Sequence, residues 1–269
     1  MIDWKKKMQE IYLIIDSGSM LYSATSGIKV LDESGNPIKK DDKFVYTEKS
    51  LEDVKYHLDN ILLELFSSTN ATHFIGFLDY NLKDSRRKKI DARYKSKRVG
   101  KPSPMWLSEA KEYLATEYGF YKVQDGWEAD DYCKAHMEKY KELNPILITV
   151  DKDLRFAEGI TIGAKDGTIN INTSFIEQKQ LAYQLICGDE DLPGLKGKGK
   201  KFCDELFNNT EIEEELFPLV YKEFVKQHGY LEGSIQYYKH FYCLYIRKYP
   251  EEFEDSLSFQ EFNRVIGTF

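Results

Sequence analysis

The sequence predicts an α/β protein with a mostly parallel central sheet flanked by helices, followed by a C-terminal helical region. Short apolar runs of strand length alternate with segments of helical periodicity up to about residue 173. Three of the strongest strand candidates are each followed directly by an aspartate. From about residue 174 onward the strand candidates stop and the pattern is helical. We therefore predict an α/β domain over 1–173 and a helical region over 174–269.

The elements follow from periodicity and from residues that cap helices or form turns. The strand candidates lie at 11–15, 73–78, 120–123, 145–150, 160–162 and 168–171. The helix candidates lie at 51–66, 105–118 and 128–140. Ser50 is a candidate N-cap for the first of these helices. The stretch from about 80 to 104 has poor periodicity, which indicates a long loop or a partly helical arch.

Composition excludes several classes of protein. The 269 residues are 42% hydrophobic and 31% charged, which is typical of a soluble globular chain. The longest apolar runs are well short of the roughly 20 residues that a membrane helix needs. The first residues are charged and carry no apolar stretch of the signal-peptide kind, so we expect a cytoplasmic protein. The four scattered cysteines have no zinc-ligand spacing, and we expect free buried thiols.

The net charge of −7 conceals an uneven distribution of charge. Between Lys83 and Lys101, ten residues are Lys or Arg and two are acidic. A solvated helix face is one explanation, but so dense a run of one sign repels itself and favours an anionic partner. A second basic cluster lies in a glycine-rich segment and contains Lys196, Lys198, Lys200 and Lys201.

Carboxylates follow the ends of the predicted strands. In parallel α/β sheets, ligands bind outside the carboxyl ends of the strands, where Asp16, Asp79 and Asp151 stand. A turn or a helix cap would explain one such aspartate, but three that converge by topology indicate a site. The further acids in short clusters are Glu128, Asp130, Asp131, Asp153, Asp189 and Asp191. Glu128 and Asp131 can share a helix face, although the helix dipole also favours acids in a first turn.

Such a set of carboxylates would repel itself unless cations were bound. Mg²⁺ and Mn²⁺ prefer carboxylate and water oxygens to His or Cys ligands. Two ions about 3.5–4 Å apart can clamp a phosphodiester and stabilise both the attacking and the leaving oxygen. None of the five histidines lies in these clusters, and this chemistry requires none. The residues therefore predict a phosphodiesterase with two Mg²⁺ ions, for which Mn²⁺ can substitute.

Short motifs in a fixed order along about 11–205 resemble the flap endonuclease and 5′–3′ exonuclease family. Glu128-Ala129-Asp130-Asp131 matches the family's Glu-Ala-Asp-Asp signature, and residues 93–98 resemble its arch motif, Tyr-Lys-x-x-Arg. The other similar segments are 14–22, 78–79, 149–154 and 188–201. The short length and the compact arch look most like the bacteriophage members, which would place the protein in the host cytoplasm.

The resemblance implies a PIN-like α/β domain and a helix–three-turn–helix DNA-binding motif in the helical region. It implies a structure-specific, sequence-independent 5′-nuclease that cuts branched or flapped DNA, or RNA–DNA hybrids, near a junction. Lys95 and Arg98 would contact the scissile phosphate. On this basis the first ion is held mainly by Asp16, Asp79, Glu128 and Asp130. The second is held by Asp151, Asp153 and Asp189, with Asp130 or Asp131 shared, and Asp191 is a further candidate ligand.

Basic and aromatic residues of the arch and the glycine-rich segment are candidates for DNA binding. Arg86 or Arg87 would steer the single strand, and Tyr94 would either stack on a base or pack in the core. The duplex would be gripped by Gly194, Lys196, Gly197, Lys198, Gly199, Lys200 and Lys201. Glycines there let backbone N–H groups approach a phosphate, or let carbonyls hold a monovalent cation such as K⁺.

Two departures from the family pattern leave alternatives open. Ser17 stands where the family has Gly, and Asp191 follows Asp189 after two positions instead of three, so Glu190 could act through water instead. The shortened loop favours a forked-DNA-binding protein without catalysis, and a PIN-like single-strand ribonuclease is a further alternative. Gly194, Gly199 and Lys200 have P-loop spacing, but Lys201 replaces the required Ser or Thr, so we expect no NTP. We expect a monomer with no membrane partner.

Overall fold

The computed structural model describes residues 11–40, 43–79, 85–98 and 103–246. Its strands β1 to β10 are, in chain order, Tyr12–Asp16, Ile28–Lys29, Lys39–Lys40, Lys43–Phe44, Tyr46–Thr47, His73–Leu78, Tyr121–Lys122, Ile146–Thr149, Gly159–Gly163 and Ile169–Asn172. Its helices α1 to α9 are Gly18–Thr25, Leu51–Thr69, Arg86–Ile90, Leu107–Glu117, Ala129–Lys139, Ser174–Cys187, Lys200–Leu206, Glu213–His228 and Tyr230–Leu244. Three short 3-10 turns cover Ser96–Arg98, Lys141–Leu143 and Leu154–Phe156.

A six-stranded sheet with the order β10-β9-β8-β1-β6-β7 forms the centre of this part of the chain. Strand β1 pairs in parallel with β6 on one side and with β8 on the other. The outer pairs β6–β7 and β8–β9 are also parallel, and only the β9–β10 hairpin is antiparallel. The mostly parallel sheet is therefore confirmed. Because β1, β6 and β8 run together, their carboxyl ends meet at one edge.

Strand β1 is apolar up to its final residue, Asp16, because both of its faces are covered. Leu13 and Ile15 point into a core formed with α1, α2 and α4, whereas Ile14 packs on the other face against Phe77 and α5. These three side chains are at most 1% exposed. A parallel strand between two helical layers needs such a continuous apolar run, which is what residues 11–15 contain.

Helix α2 shows how closely local signals determine an element. Ser50 Oγ accepts a hydrogen bond from the amide of Asp53 at 3.1 Å, and the Asp53 carboxylate accepts one from the Ser50 amide. This capping box starts the helix at the predicted residue. The helix ends at Asn70, whose φ of 52° is left-handed.

The elements between β1 and α2 were not predicted from the sequence. There, α1 follows the first strand-end aspartate, and β2–β5 and β3–β4 form two small antiparallel pairs. The basic stretch is partly helical in its described portion, since α3 is followed by turns and by the 3-10 turn Ser96–Arg98. The rest of the predicted arch, 80–84 and 99–102, lies outside the described residues.

The C-terminal region is helical, as predicted, with its last described helix ending at Leu244; residues 247–269 lie outside the described part. Helices α6 to α9 enclose their own core, in which Leu185, Phe207, Val220 and Phe224 are fully buried. Helix α9 also packs against α3. None of the four cysteines forms a disulfide; Cys187 is partly exposed and the other three are buried. None of the helices within the described ranges is long and apolar enough to cross a membrane.

Candidate active site

The predicted strand-end aspartates do meet at the carboxyl edge of the sheet. Asp16, at the end of β1, accepts hydrogen bonds from the Gly18 amide at 3.1 Å and from Thr149 Oγ1 at 2.8 Å. Burial raises the pKa of Asp16 to about 6 against these hydrogen bonds, and the charges of Asp151 and Asp79 add to the rise. The ends of β1, β6 and β8 thus share one electrostatic environment.

Asp79 links this edge to the start of α5. Its Oδ1 accepts a hydrogen bond from the amide of Ala129 at 2.6 Å, and its backbone carbonyl accepts one from Lys111 Nζ at 2.5 Å. Burial raises the pKa of Asp79, and the charge of Glu128 contributes to the rise. Lys111 lies on α4, and the sequence analysis missed it because the residue stands in no motif.

The acids at the start of α5 surround a buried arginine. Arg87 Nη1 lies 2.5 Å from Glu128 Oε2, and Arg87 Nη2 lies 2.6 Å from Asp131 Oδ1. Asp130 Oδ1 is more distant from the same guanidinium, at 3.5 Å. Lys95 Nζ also donates to Glu128 Oε2, at 2.6 Å. One arginine and one lysine therefore neutralise the acidic signature from within the protein.

The pKa values of Glu128 and Asp130 are shifted in opposite directions. Burial acts to raise the pKa of Glu128, but Arg87 and Lys95 outweigh it and the pKa falls to about 2. At Asp130 burial prevails over the attraction of Arg87, so its pKa lies well above the ordinary value. Glu128 Oε1 is buried and has no hydrogen-bond partner. The cluster therefore holds an ionised glutamate with one unused oxygen.

A second group of acids joins the end of β8 to the loop after α6. Burial raises the pKa of Asp153 to about 7, and the charges of Asp151, Asp189 and Asp191 add to this despite Lys152. Asp153 Oδ1 is buried without a partner. Asp189 Oδ1 accepts hydrogen bonds from the amides of Asp191 and Leu192 at 2.7 and 2.8 Å.

The donor atoms of both groups fit divalent cations, but the present side-chain positions do not. Their donors are all carboxylates, two oxygens are buried without partners, and burial, with a smaller contribution from neighbouring aspartates, raises the pKa values of Asp16 and Asp153. This chemistry fits hard cations such as Mg²⁺. As the side chains stand, however, no three acidic, histidine or cysteine residues in the described ranges converge in a geometry that could hold a metal ion. On the Glu128 side, Arg87 and Lys95 both contact Oε2 of Glu128.

The predicted arch residues have different surroundings. Lys95 contacts Glu128, whereas the side chain of Arg98 lies outside the described residues. Arg87 is 4% exposed, so the prediction that it steers a single strand is wrong for this arrangement. Arg86 lies over the ring of Trp127 at 4.4 Å. Tyr94 is 4% exposed and donates to Glu128 at 3.0 Å, which favours the packing role over base stacking.

The glycine-rich segment connects α6 to α7 and follows a helix, not the strand that a P-loop requires. A Cβ on Gly194 would lie 2.1 Å from the carbonyl carbon of Cys187, and one on Gly188 would lie 2.0 Å from Gly194 N. Only glycine permits this backbone contact. The tight turn between two helices is the form that the helix–three-turn–helix prediction requires.

The lysines of this segment are not equivalent. Lys196, Lys200 and Lys201 are exposed, as are Gly197 and Gly199, and remain candidates for phosphate contact. Lys198 instead forms an ion pair with Glu223 and lies 5.0 Å from the ring centre of Phe202. The prediction of a free phosphate-binding lysine is therefore wrong at this position.

A cleft of about 280 Å³ opens beside the acids. Asp79, Lys95 and Glu128 line it, and the lining residues without a predicted role include Ser17, Tyr22, Lys88 and Lys111. Ser17 is buried and its Oγ donates to the carbonyl of Phe77 at 2.5 Å, which explains why a side chain is accommodated there.

Together these features define a class: the chain has the fold of the flap endonuclease and 5′–3′ exonuclease family. The structure of bacteriophage T5 5′-exonuclease with bound zinc is similar at a TM-score of 0.60 and 15% identity, over 95% of this chain and 98% of that one. A product complex of the bacteriophage T5 flap endonuclease with DNA and metal ions is similar at a TM-score of 0.54 and 12% identity. The match covers 96% of this chain and 100% of that one. No family model and no curated protein matches the sequence.

Proposed function

We propose that the protein is a divalent-metal-dependent, structure-specific 5′-nuclease that hydrolyses phosphodiester bonds of flapped or branched DNA. One observation carries the proposal: two groups of carboxylates, each with one buried oxygen that has no partner, lie at the carboxyl edge of the sheet, and Lys95 donates to the first group on the wall of an open cleft. The fold shared with T5 nucleases supports the same reaction class.

Each part of the site has a distinct role in this proposal. Asp16, Asp79, Glu128 and Asp130 would hold one ion, and a second would be held by Asp151, Asp153, Asp189 and Asp191, with Asp130 or Asp131 shared. Bound divalent cations supply charge neutralisation and Lewis acidity at the phosphate. Lys95 contributes a fixed positive charge for the developing charge on the phosphate, and we assign the same role to Arg98.

The glycine-rich segment would grip the duplex. Exposed Lys196, Lys200 and Lys201 give sequence-independent affinity for phosphates, which suits a nuclease that recognises junctions and not base sequence. The proposal extends to RNA–DNA hybrids, to a monomeric enzyme, and to a K⁺ ion held by carbonyls of the Gly194–Gly199 turn.

Cleavage of a 5′-labelled flap duplex tests the proposal. Mg²⁺ or Mn²⁺ should release a short labelled product, and EDTA or Asp153→Asn should abolish it. Asp32→Asn removes an exposed carboxylate of the hairpin region and should cut at the wild-type rate. Flap binding without cutting in either metal would contradict the proposal.

The ion pairs of Glu128 favour one second candidate. Because Arg87 and Lys95 already neutralise this glutamate, the same fold could bind forked DNA without catalysis. That protein would show equal affinity for a flap in EDTA and in Mg²⁺, whereas a metal-dependent nuclease binds its metal with a measurable heat in the absence of DNA.

A further inference from the structure

The five residues from Asp91 to Lys95 form a segment that we call the arch base. Arg93 is its central contact: Nε donates to Asp91 Oδ1 at 3.0 Å and Nη2 donates to Asp91 Oδ2 at 2.6 Å. The same Nη2 donates to Gln236 Oε1 at 3.0 Å and lies 3.4 Å from His240 Nε2. Gln236 and His240 are on α9, so this arginine joins the arch base to the helical region.

The opposite side of the arch base rests on the shortened loop after α6. The amide of Lys95 donates to the backbone carbonyl of Asp191 at 3.2 Å. Tyr94 packs in one apolar cluster with Leu192 of this loop and Cys243 of α9. The loop that departs from the family spacing therefore contacts the arch lysine through its backbone, independently of any role of the Asp191 carboxylate.

The backbone of Lys95 is strained in the conformation that these contacts hold. Its φ is 54°, a left-handed conformation that non-glycine residues rarely adopt. Such strain persists only where the surroundings determine the backbone more strongly than the residue itself. The strained conformation brings Lys95 Nζ to within 2.6 Å of Glu128 Oε2 at the acidic cluster.

We infer that Gln236 is a positioning residue that acts through Arg93 to hold the ammonium of Lys95 at the carboxylate site. This inference rests on the proposed function, because Lys95 is the cation that the nuclease would present to the phosphate. Arg93 is partly exposed and could also meet a phosphate directly, but Gln236 carries no charge. A defect caused by changing Gln236 therefore reports position and not lost DNA affinity.

The experiment compares two replacements of similar size. Gln236→Leu removes the acceptor, whereas Gln236→Glu keeps an acceptor for Arg93 and should restore wild-type behaviour. Gln227→Leu makes the same change on α8, where the Gln227 amide contacts His228 and not Arg93, and serves as the matched control. Each variant is tested as the full chain.

The first readout does not need nuclease activity. The rate at which an amine-directed acylating reagent modifies Lys95 is followed by mass spectrometry, with the exposed Lys200 as internal reference. Gln236→Leu should raise the rate at Lys95 several-fold, because the ammonium leaves its ion pair, while Gln236→Glu and Gln227→Leu should leave it unchanged. An unchanged Lys95 rate in Gln236→Leu would overturn the inference.

The second readout is flap cleavage in Mg²⁺. Gln236→Leu should lower kcat about ten-fold or more with little change in KM, since displacement of a catalytic group by about 1 Å has effects of this size or larger. A loss seen only in KM would overturn the inference. If the wild-type chain does not cut, the proposed function fails, and the modification rates alone still decide whether Gln236 positions Lys95.

Discussion

Arg87 Nη2 donates to Asp131 Oδ1 across 2.6 Å, and both side chains are almost fully buried. The two residues are 44 positions apart in the chain. The same guanidinium reaches Glu128 at 2.5 Å, so one buried cation joins α3 to the start of α5. Arg87 thus joins the residues of the acidic cluster and is only 4% exposed.

Replacement of Arg87 by Met should strongly destabilise the protein. Loss of one partner leaves buried carboxylates without a counterion, which costs about 3–5 kcal/mol in the free energy of unfolding. Urea denaturation followed by circular dichroism measures the change. Lys89→Met alters an exposed lysine of the same helix and should shift stability by less than about 0.5 kcal/mol. Equal stability of the two variants would contradict the structural role of Arg87.

Replacement of Lys95 by Met should reduce cleavage without a matching loss of DNA affinity. The ammonium lies at the acidic cluster, where it can stabilise charge that develops on the phosphate, and removal of such a donor costs about 10²–10³ in kcat. Single-turnover cleavage of a flap duplex and equilibrium binding give the two quantities. Lys97→Met, which removes an exposed lysine two residues away, is the control. Equal kcat values for the two variants would exclude the proposed role.

The lysines of the glycine-rich segment should differ in their effect on DNA binding. Lys200 is exposed and free to contact a phosphate, so Lys200→Met should reduce the slope of log affinity against log salt by about one. Lys198 is paired with Glu223, and Lys198→Met should leave this slope unchanged. Fluorescence anisotropy of a labelled fork at several salt concentrations tests this, and the reverse order of effects would show that the Lys198 ion pair opens on binding.

His240 should make the stability of the protein depend on pH. Burial and the positive charge of Arg93 lower its pKa from 6.5 to about 4. Between these values the unfolded chain binds a proton at this residue and the folded chain does not, so stability falls as the pH decreases through this window. Replacement of His240 by Asn removes that contribution.

Urea midpoints measured at intervals from about pH 7 to pH 4 test this contribution. The wild type should lose more stability than His240→Asn across the window, and the two curves should run parallel above it. Parallel curves over the whole range would show that folding does not shift the pKa of His240.

Local patterns were sufficient for the elements whose residues interact with near neighbours in the chain. The capping box of Ser50 and Asp53 determined where α2 begins, and the apolar run 11–15 identified β1. The small strand pairs over 28–47 were missed because each strand is only two residues long. In β2, β3 and β5 both residues are exposed, so no alternation of apolar and polar residues marks these strands.

Chain order together with residue type predicted the parallel sheet, the helical region after residue 174 and the convergence of acids at the sheet edge. The tertiary structure decided which charges neutralise these acids. Arg87 and Arg86 are adjacent and chemically identical, yet one lies inside the acidic cluster and the other over Trp127. Such partners come from segments more than 40 residues apart. Their selection depends on burial and three-dimensional distance, which local sequence patterns do not contain.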